Sequence, residues 1–352
     1  MSFAGATRGP LRIAPIFKAR SWGGSELRAL AHPDAVVPAA PIGEAWLLCD
    51  LAQSDGADRT LIAEGFHSGK SLHDLIADPS TRGDLLGRAP PSPGNTFPLM
   101  LKLLDARENL SVQVHPRRWA TRDAADPKDE AWLILDSSPG ARIYRGFKPG
   151  TTSAQVVERA RSGALVELLE AHEVTVGDAV FLESGTCHAL GAGLLVAEIQ
   201  TPSDTTYRVW DWGRRDTTRP LHLDDALAAM RLPADSHCEP IRRVELHDAV
   251  PAGLVRVDPV SSCPAFDGEV WTLGADAEAT MTCRGVPRVV TVVAGAASAS
   301  GLSSVVRFGG TFVQWADGDA VRITTERGAR LLVAQPGDSV AGADSSVGRR
   351  IS

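Results

Sequence analysis

Short apolar runs broken by glycine and proline constrain the fold of this chain more than any other feature of its sequence. The 33 Gly and 23 Pro residues are scattered and leave few stretches long enough for a helix of several turns. Frequent turns between short apolar or alternating segments are typical of strands. A chain of 352 residues can form about two domains with a sizeable core. The sequence therefore predicts a mainly β fold.

Helical patterns are confined to a few short segments. Residues 72–80, LHDLIADPS, and the following RGDLLG predict a short helical passage with Ser71 as its N-cap and Pro79 as a stop. Apolar residues at three- and four-residue spacing predict one or two amphipathic helices within 152–170 and another helix at about 222–231.

The composition of the sequence changes near residue 235. Short Val-rich segments follow, and only two of the nine histidines lie beyond that point. The last dozen residues are polar and Gly-containing, a composition typical of disorder. We therefore expect a catalytic domain with short helical insertions at 1–235, a C-terminal β-domain at 236–340 and a disordered tail at 341–352.

Charge, cysteine usage and hydropathy exclude several classes of protein. The net charge is -7 and no Lys/Arg run is present, which disfavours nucleic acid as a partner. The five cysteines are odd in number and form no Cys-x-x-Cys pair, so a disulfide framework is not expected. No signal-peptide core or long apolar span occurs. We expect a soluble, cytoplasmic monomer or homodimer that does not bind membranes.

Alternation in the segment 110–116, LSVQVHP, predicts a half-buried strand with an unusual polar face. Val112 and Val114 lie on one face, and Gln113 and His115 lie on the other. A solvated face has no particular use for an amide and an imidazole two residues apart. Because the two side chains point the same way, their heteroatoms can converge on one small object. The alternative is an ordinary strand end that faces water.

A metal ion is the object that best fits these residue types. Glu130 and His188 could add a carboxylate and a second imidazole, provided that the chain folds back over a long interval, as it does at the mouth of a β-barrel. Two imidazoles, a carboxylate and an amide oxygen suit Zn²⁺, although Fe²⁺, Mn²⁺ or Co²⁺ would accept a similar set. The spacing alone does not identify a metal site.

The segment GDAVFLESGTCHA, residues 177–189, is more specific. Gly177, Gly185 and His188 follow the second motif of the cupin superfamily, in which a hairpin directs a histidine into a small barrel. Glu183 stands where that motif usually has proline, a change that affects the stiffness of the loop more than the ligand.

Most of residues 20–215 resembles the type I mannose-6-phosphate isomerases, or phosphomannose isomerases, in their short bacterial form. The matching motifs are SWGG, IGEAW, FPLMLKLLDARENLSVQVHP, KDEAW, GDAVFLESGTCHALGAGLLVAEIQ and SDTTYRVWDWGR. The resemblance implies two cupin-like (jelly-roll) β-domains, of which the second binds no metal and covers the first. It also implies one Zn²⁺ per chain and interconversion of mannose 6-phosphate and fructose 6-phosphate through an enediolate. The implied zinc ligands are Gln113, His115, Glu130 and His188.

The same resemblance implies the residues that act on substrate. Arg208 in DTTYRVWDW would be the active-site arginine, whose planar donors suit an oxyanion or a phosphate. Lys128 resembles a family lysine proposed as the acid/base, and Asp204 is a second candidate. Glu44 and Lys102 lie in family-like motifs and could line the pocket, although residues of this kind are more often structural. The basic residues available for phosphate are Arg117, Arg145, Lys148 and Arg214.

Two other functions fit the sequence less well. One is a zinc cupin isomerase that acts on another sugar or an unphosphorylated sugar. The other is a non-catalytic sugar-binding cupin with a structural metal. A structural zinc site is closed by its protein ligands and needs no arginine or lysine beside it, so Arg208 and Lys128 disfavour the second alternative.

Overall fold

The computed structural model describes residues 8–30, 37–51, 59–117, 127–214, 219–233 and 238–337, and it is mainly β as predicted. No helix in these ranges is long and apolar enough to cross a membrane. The helices are α1 (Leu72–Ala77), α2 (Pro79–Leu86), α3 (Ser153–Ser162) and α4 (Leu223–Ala229), with 3-10 turns at Glu26–Leu30 and Leu165–Leu168.

The strands are short, and most are joined by turns. In chain order they are β1 (Leu11–Ala14), β2 (Ile16–Gly24), β3 (Ile42–Leu48), β4 (Leu61–Ile62), β5 (Met100–Ala106), β6 (Val112–Val114), β7 (Glu130–Ser137), β8 (Arg142–Phe147), β9 (Leu169–Glu173), β10 (Asp178–Leu182), β11 (His188–Leu190), β12 (Leu194–Gln200), β13 (Tyr207–Trp210), β14 (Arg242–Arg243), β15 (Val255–Ser262), β16 (Phe266–Leu273), β17 (Glu278–Met281), β18 (Arg288–Ala299), β19 (Val306–Arg307), β20 (Thr311–Gln314), β21 (Val321–Thr324) and β22 (Ala329–Pro336).

The first predicted helix is two helices. Ser71 caps α1 as expected, through a capping box with Asp74. Pro79 does not stop the helical segment but begins α2, with Asp78 as the N-cap between the two helices. Proline fits the first turn because the N–H that it lacks has no partner there. The predicted helix at 222–231 is confirmed as α4.

The helix in the segment 152–170 is also shorter than the periodicity of the sequence predicts. Helix α3 begins after Thr152, which forms a capping box with Gln155. It ends at Gly163, whose φ of 75° lies in the left-handed region that favours glycine. A 3-10 turn follows, and Leu169 already belongs to β9.

Two facing sheets form the first barrel. One has the order β14-β10-β7-β12-β5-β2-β3, and the other has the order β13-β6-β11-β8-β9. Trp132 and Val196 of the first sheet share a buried cluster with Ile143 and Leu190 of the second. This double-sheet barrel with few helices is the cupin fold that the sequence predicts.

The valine face of β6 is buried, as expected for the apolar face of the strand. Val112 and Val114 pack with Val156 of α3 and Ala226 of α4, so helices cover the outer side of the five-stranded sheet. The predicted alternation is confirmed, since Val112 and Val114 are buried and Gln113 is half-buried. The polar face, with Gln113 and His115, must lie inside the barrel.

The second half forms a ten-stranded sheet that also takes in two strands from the N-terminal part. Its main order is β15-β16-β22-β18-β20-β1-β4, and β17, β19 and β21 branch from it. Leu11 of β1 is the register partner of Val313 in β20. A division near residue 235 stays a prediction, and by hydrogen bonding β1 and β4 go with the second unit. The predicted tail at 341–352 lies outside the described residues.

A shared apolar cluster joins the two halves. It includes Leu101 and Ile199 of the seven-stranded sheet together with Phe266 and Val289 of the ten-stranded sheet. The second unit thus packs against the outer face of the first barrel, and the interior of that barrel is shared by an apolar cluster and the polar residues described below.

Candidate metal and substrate site

Strand pairing brings the predicted site residues into one row. His188 on β11 and Arg208 on β13 are both register partners of Gln113 on the strand between them, β6. His115 follows β6 directly. Glu130 opens β7 in the facing sheet, where it pairs with Leu182. Residues far apart in sequence therefore meet inside the barrel.

His115, Glu130 and His188 form a compact buried cluster. Their ligand atoms lie within 4.8 Å of one another, and each residue is at most 2% exposed. His115 Nε2 is 3.2 Å from Glu130 Oε1, and His188 Nε2 is 3.6 Å from Glu130 Oε2.

Backbone carbonyls fix the orientation of both imidazoles. His115 Nδ1 lies 2.8 Å from the carbonyl oxygen of Thr205, and His188 Nδ1 lies 2.8 Å from that of Thr186. Because a carbonyl only accepts, each Nδ1–H must donate, and each Nε2 keeps its lone pair toward Glu130. Burial lowers the pKa of His115, and it lowers the pKa of His188 to about 4, so both rings are neutral at pH 7. Neutral rings with inward lone pairs are what a cation site requires.

Glu130 is a charged carboxylate with one cationic neighbour, Lys128. Burial raises the pKa of Glu130, but the charge of Lys128 outweighs burial and leaves the pKa well below the usual value. Both carboxylate oxygens are buried and have no hydrogen-bond partner among the described residues. Lys128 Nζ contacts Oε1 as an ion pair. A charged, otherwise unmatched carboxylate between two Nε2 lone pairs fits a divalent cation.

Gln113 presents its amide to the same cluster. Its Nε2 is 3.2 Å from His188 Nε2, and its Oε1 is 3.4 Å from Ser111 Oγ. An amide nitrogen has no lone pair for a metal, so the predicted ligand role requires Oε1 at the inner position. The two ends of an amide are assigned from their partners.

The cluster lies at a cavity of about 380 Å³. All three predicted catalytic residues line it, and so do two of the predicted metal ligands. The charged or amide residues in its wall are Arg20, Glu44, Lys102, Gln113, Lys128, Glu130, Glu198, Asp204, Arg208 and Arg219.

Lys102 is the centre of a charge network that the sequence did not predict to be functional. Its Nζ is 3.7 Å from Glu44, 3.8 Å from Glu198 and 3.7 Å from Asp204. Burial lowers the pKa of Lys102, but these carboxylates outweigh burial and raise it, so the side chain stays charged. Burial raises the pKa of Glu44, but the charges of Lys102 and Arg20 outweigh burial and lower this pKa to about 2. The signal was an ionisable residue inside each of the apolar runs MLKLLDA and IGEAWLL.

Glu198 is a second residue that the sequence analysis missed. It is 4% exposed, and its Oε2 accepts a hydrogen bond of 2.9 Å from Trp132 Nε1. Burial and then the charge of Glu130 raise the pKa of Glu198 to about 7. Its signal was a glutamate in the otherwise apolar segment GLLVAEI.

Three arginines face the cavity: Arg20, Arg208 and Arg219. Arg208 Nε and Arg219 Nη1 are buried without a hydrogen-bond partner among the described residues, whereas Arg20 is held by Glu44 at 2.6 Å. Burial lowers the pKa of Arg219, and the neighbouring charge of Arg208 adds to the effect. His222 accepts a hydrogen bond of 3.3 Å from the backbone N–H of Arg208.

The basic residues that the sequence offered for phosphate lie elsewhere. Arg145 is buried and donates to the carbonyl oxygens of Phe181 and Glu239. Lys148 donates to the carbonyl oxygen of Glu167, and Arg214 pairs with Asp211 and Glu108. Neither these three nor Arg117 is among the described residues that line the cavity.

The fold and the site together place the chain among cupin proteins with a candidate metal centre inside the barrel. A family model described as phosphomannose isomerase type I, catalytic domain, matches residues 11–133. The chain is 32% identical over 277 residues to mannose-6-phosphate isomerase ManA of Bacillus subtilis (strain 168), covering 77% of this chain and 82% of that protein. Mannose-6-phosphate isomerase of Streptococcus mutans is 31% identical over 236 residues, which are 66% of this chain and 71% of that protein.

The structural comparison agrees. The crystal structure of mannose 6-phosphate isomerase from Bacillus subtilis superposes with a TM-score of 0.76 at 27% identity, covering 93% of this chain and 99% of that one. The chain belongs to the type I phosphomannose isomerase family.

Proposed function

We propose that the protein interconverts mannose 6-phosphate and fructose 6-phosphate through an enediolate, with one Zn²⁺ held by His115, Glu130, His188 and Gln113. The observation that carries the proposal is the pair of imidazoles, each oriented by a backbone carbonyl, that face the charged Glu130 beside a cavity lined by lysines and arginines as well as carboxylates. The names of the relatives support the substrate. We also propose a cytoplasmic location and a monomeric or homodimeric state.

The metal, when bound, polarises the carbonyl and hydroxyl oxygens of the sugar. His115 and His188 contribute neutral Nε2 donors and Glu130 contributes the negative charge. Fe²⁺, Mn²⁺ or Co²⁺ would accept the same residues, so Zn²⁺ is proposed for its fit to two imidazoles and a carboxylate.

Two cationic side chains would stabilise the negative charge of the enediolate. Lys102 is a fixed charge, because three carboxylates hold it in the ammonium form at the cavity wall. Arg208 adds a planar guanidinium with an unmatched Nε–H. Donors that are already oriented toward developing charge stabilise a transition state more than a ground state.

Lys128 is the proposed proton carrier between the two sugar carbons. It is 4% exposed, lines the cavity and contacts Glu130, so its amine lies beside the metal cluster. Asp204, the other candidate, has a side chain that is 37% exposed and pairs with Lys102. We assign Asp204 to fixing Lys102 and to binding sugar hydroxyls.

Arg219 and Arg20 form the proposed phosphate subsite. Both line the cavity, and Arg219 Nη1 is buried without a partner among the described residues. A phosphate group would supply the acceptor that this N–H lacks, and charge-assisted bonds of this kind are among the strongest hydrogen bonds in proteins.

A coupled assay that offers mannose 6-phosphate beside free mannose tests the proposal, with and without a chelator. We expect turnover of the phosphorylated sugar only, loss of activity on chelation, and about one zinc per chain by elemental analysis. Equal turnover of free mannose would favour an isomerase of unphosphorylated sugar. Active protein without any transition metal would overturn the metal assignment.

A further inference from the structure

The second unit encloses an apolar cluster between β16, β18, β20 and β22 on one side and β17 and β21 on the other, and we call it the second barrel. One end of this barrel carries polar side chains on its interior face. Arg288 shares the face of β18 with Val290, which belongs to the apolar interior of this barrel. Gln314 lies on the same face of β20 as Phe312, and Glu269 on the same face of β16 as Trp271. We call Glu269, Arg288 and Gln314 the end layer.

Arg288 has no partner in this layer. It is 3% exposed, and its Nε and Nη2 atoms are buried without a hydrogen bond to any described residue. Its neighbours are engaged elsewhere. Gln314 Nε2 donates to the carbonyl oxygens of Met281 and Asp319, and Glu269 accepts from Trp271 Nε1 at 3.0 Å. A buried guanidinium without an acceptor is costly, which points to an acceptor that binds from outside the chain.

The charges around Arg288 are mixed. Burial and then the charge of the exposed Arg284 lower the pKa of Arg288 to about 10, ahead of the opposing effect of Glu269. Asp267 lies on the same face of β16 but binds Ser262 and Gln335. Arg288 therefore remains charged at neutral pH, beside a second cation and without an ion pair among the described residues.

The two unmatched nitrogens also define the geometry of the ligand. Nε–H and Nη2–H lie on the same edge of the guanidinium plane, the edge that binds two oxygens of a carboxylate or phosphate side by side. We propose that the end layer is an oxyanion-binding site, in which Arg288 holds a phosphate or carboxylate group of a small molecule and Arg284 adds the second positive charge. It is distinct from the cavity of the first barrel, whose lining contains neither residue.

Thermal unfolding of the full chain with inorganic phosphate or acetate tests the site, at an ionic strength kept constant with chloride. Because the proposed function places phosphate at Arg219 as well, each measurement is repeated in the Arg219→Gln background. We expect a rise in Tm that persists in this background, and an apparent Kd that is about tenfold weaker in Arg288→Met and about threefold weaker in Arg284→Ala. The anion with the larger effect identifies the ligand as phosphate or carboxylate.

Lys148→Ala, an exposed change of the same charge, should leave the rise intact, and Arg288→Met should keep normal isomerase activity. If phosphate and acetate raise the Tm equally in the unchanged protein and in both arginine variants, the proposal is overturned, and the guanidinium of Arg288 would be satisfied by water. If Arg288→Met does not fold, the Arg284→Ala variant alone tests the site. The Arg284 side chain is exposed, so its removal should not prevent folding.

Discussion

The two barrels are both built of short strands, but they have different interiors. In the first, neighbouring strands place Arg208, Gln113 and His188 side by side within the barrel. In the second, interior positions are filled by apolar residues such as Val290 and Phe312, with the polar end layer at one end. The difference shows that the barrel supplies register and enclosure, whereas the residue types at a few strand positions decide whether the interior does chemistry or only packs.

The strongest test of this contrast removes an imidazole from the first barrel. His188→Ala should lower kcat/KM by about three orders of magnitude or more, because the metal would lose a ligand that is locked by Thr186. Zinc content should fall with it. The Tm should change little, since a core of this size does not depend on a metal to fold. An unfolded variant would instead mark the site as structural.

Truncation in the second barrel should have the opposite signature. Phe312→Ala removes a ring that is 2% exposed from the apolar cluster and should cost about 3–5 kcal/mol in the free energy of unfolding. The kcat of the folded fraction should be unchanged. Chemical denaturation and steady-state kinetics on the same preparation measure both. A loss of kcat without a loss of stability would break the division of labour between the barrels.

Substitution of Arg208 distinguishes a loss of transition-state stabilisation from a loss of metal binding. Arg208→Ala should lower kcat by about 10²–10³, as loss of an oriented oxyanion donor does, while zinc content stays normal. Arg208→Lys should rescue poorly, because lysine lacks the planar fork. If KM for mannose 6-phosphate rises and kcat is intact, the residue is a phosphate anchor that binds ground and transition states alike.

The phosphate subsite should show the smallest effect, and mainly in KM. Arg219→Gln should raise KM for mannose 6-phosphate about tenfold, which corresponds to one charge-assisted hydrogen bond. Lys148→Gln removes the same charge from an exposed side chain outside the cavity and serves as the control. Equal KM values for the two variants would move the phosphate away from Arg219.

Local patterns in the sequence predicted the parts of the fold that local forces decide. Ser71 was predicted as an N-cap because a hydroxyl before an apolar turn satisfies free N–H groups, and the structure confirms it. Gln113 and His115 were predicted on one face of a strand because side chains alternate along it. The helices that cover Val112 were not predicted to lie there, since their docking depends on contacts distant in sequence.

The buried charges were the part of the site that reasoning from residues could not assign. Lys102 and Glu198 lie in strands enclosed on both faces, where the period-2 pattern that separates inside from outside disappears. Each charge is tolerated only because its partners come from other strands, as Lys102 meets Glu44 and Glu198. The sequence shows the lone ionisable residue but not the partner that makes it functional.

The pairing of β1 with β20 has a consequence for how the chain assembles during synthesis. Arg12 Nη1 donates to the carbonyl oxygen of Thr311 across 299 residues of sequence, and β1 lies between β20 and β4 in the sheet. Strand β4 is available to β1 soon after synthesis, whereas β20 is made about 250 residues later than β4. Until then the edge of β1 that β20 covers is unpaired, and such edges favour slow folding and association with other chains. A nascent chain stalled before residue 311 would lack this partner of β1, so chaperone dependence should be greatest in that interval.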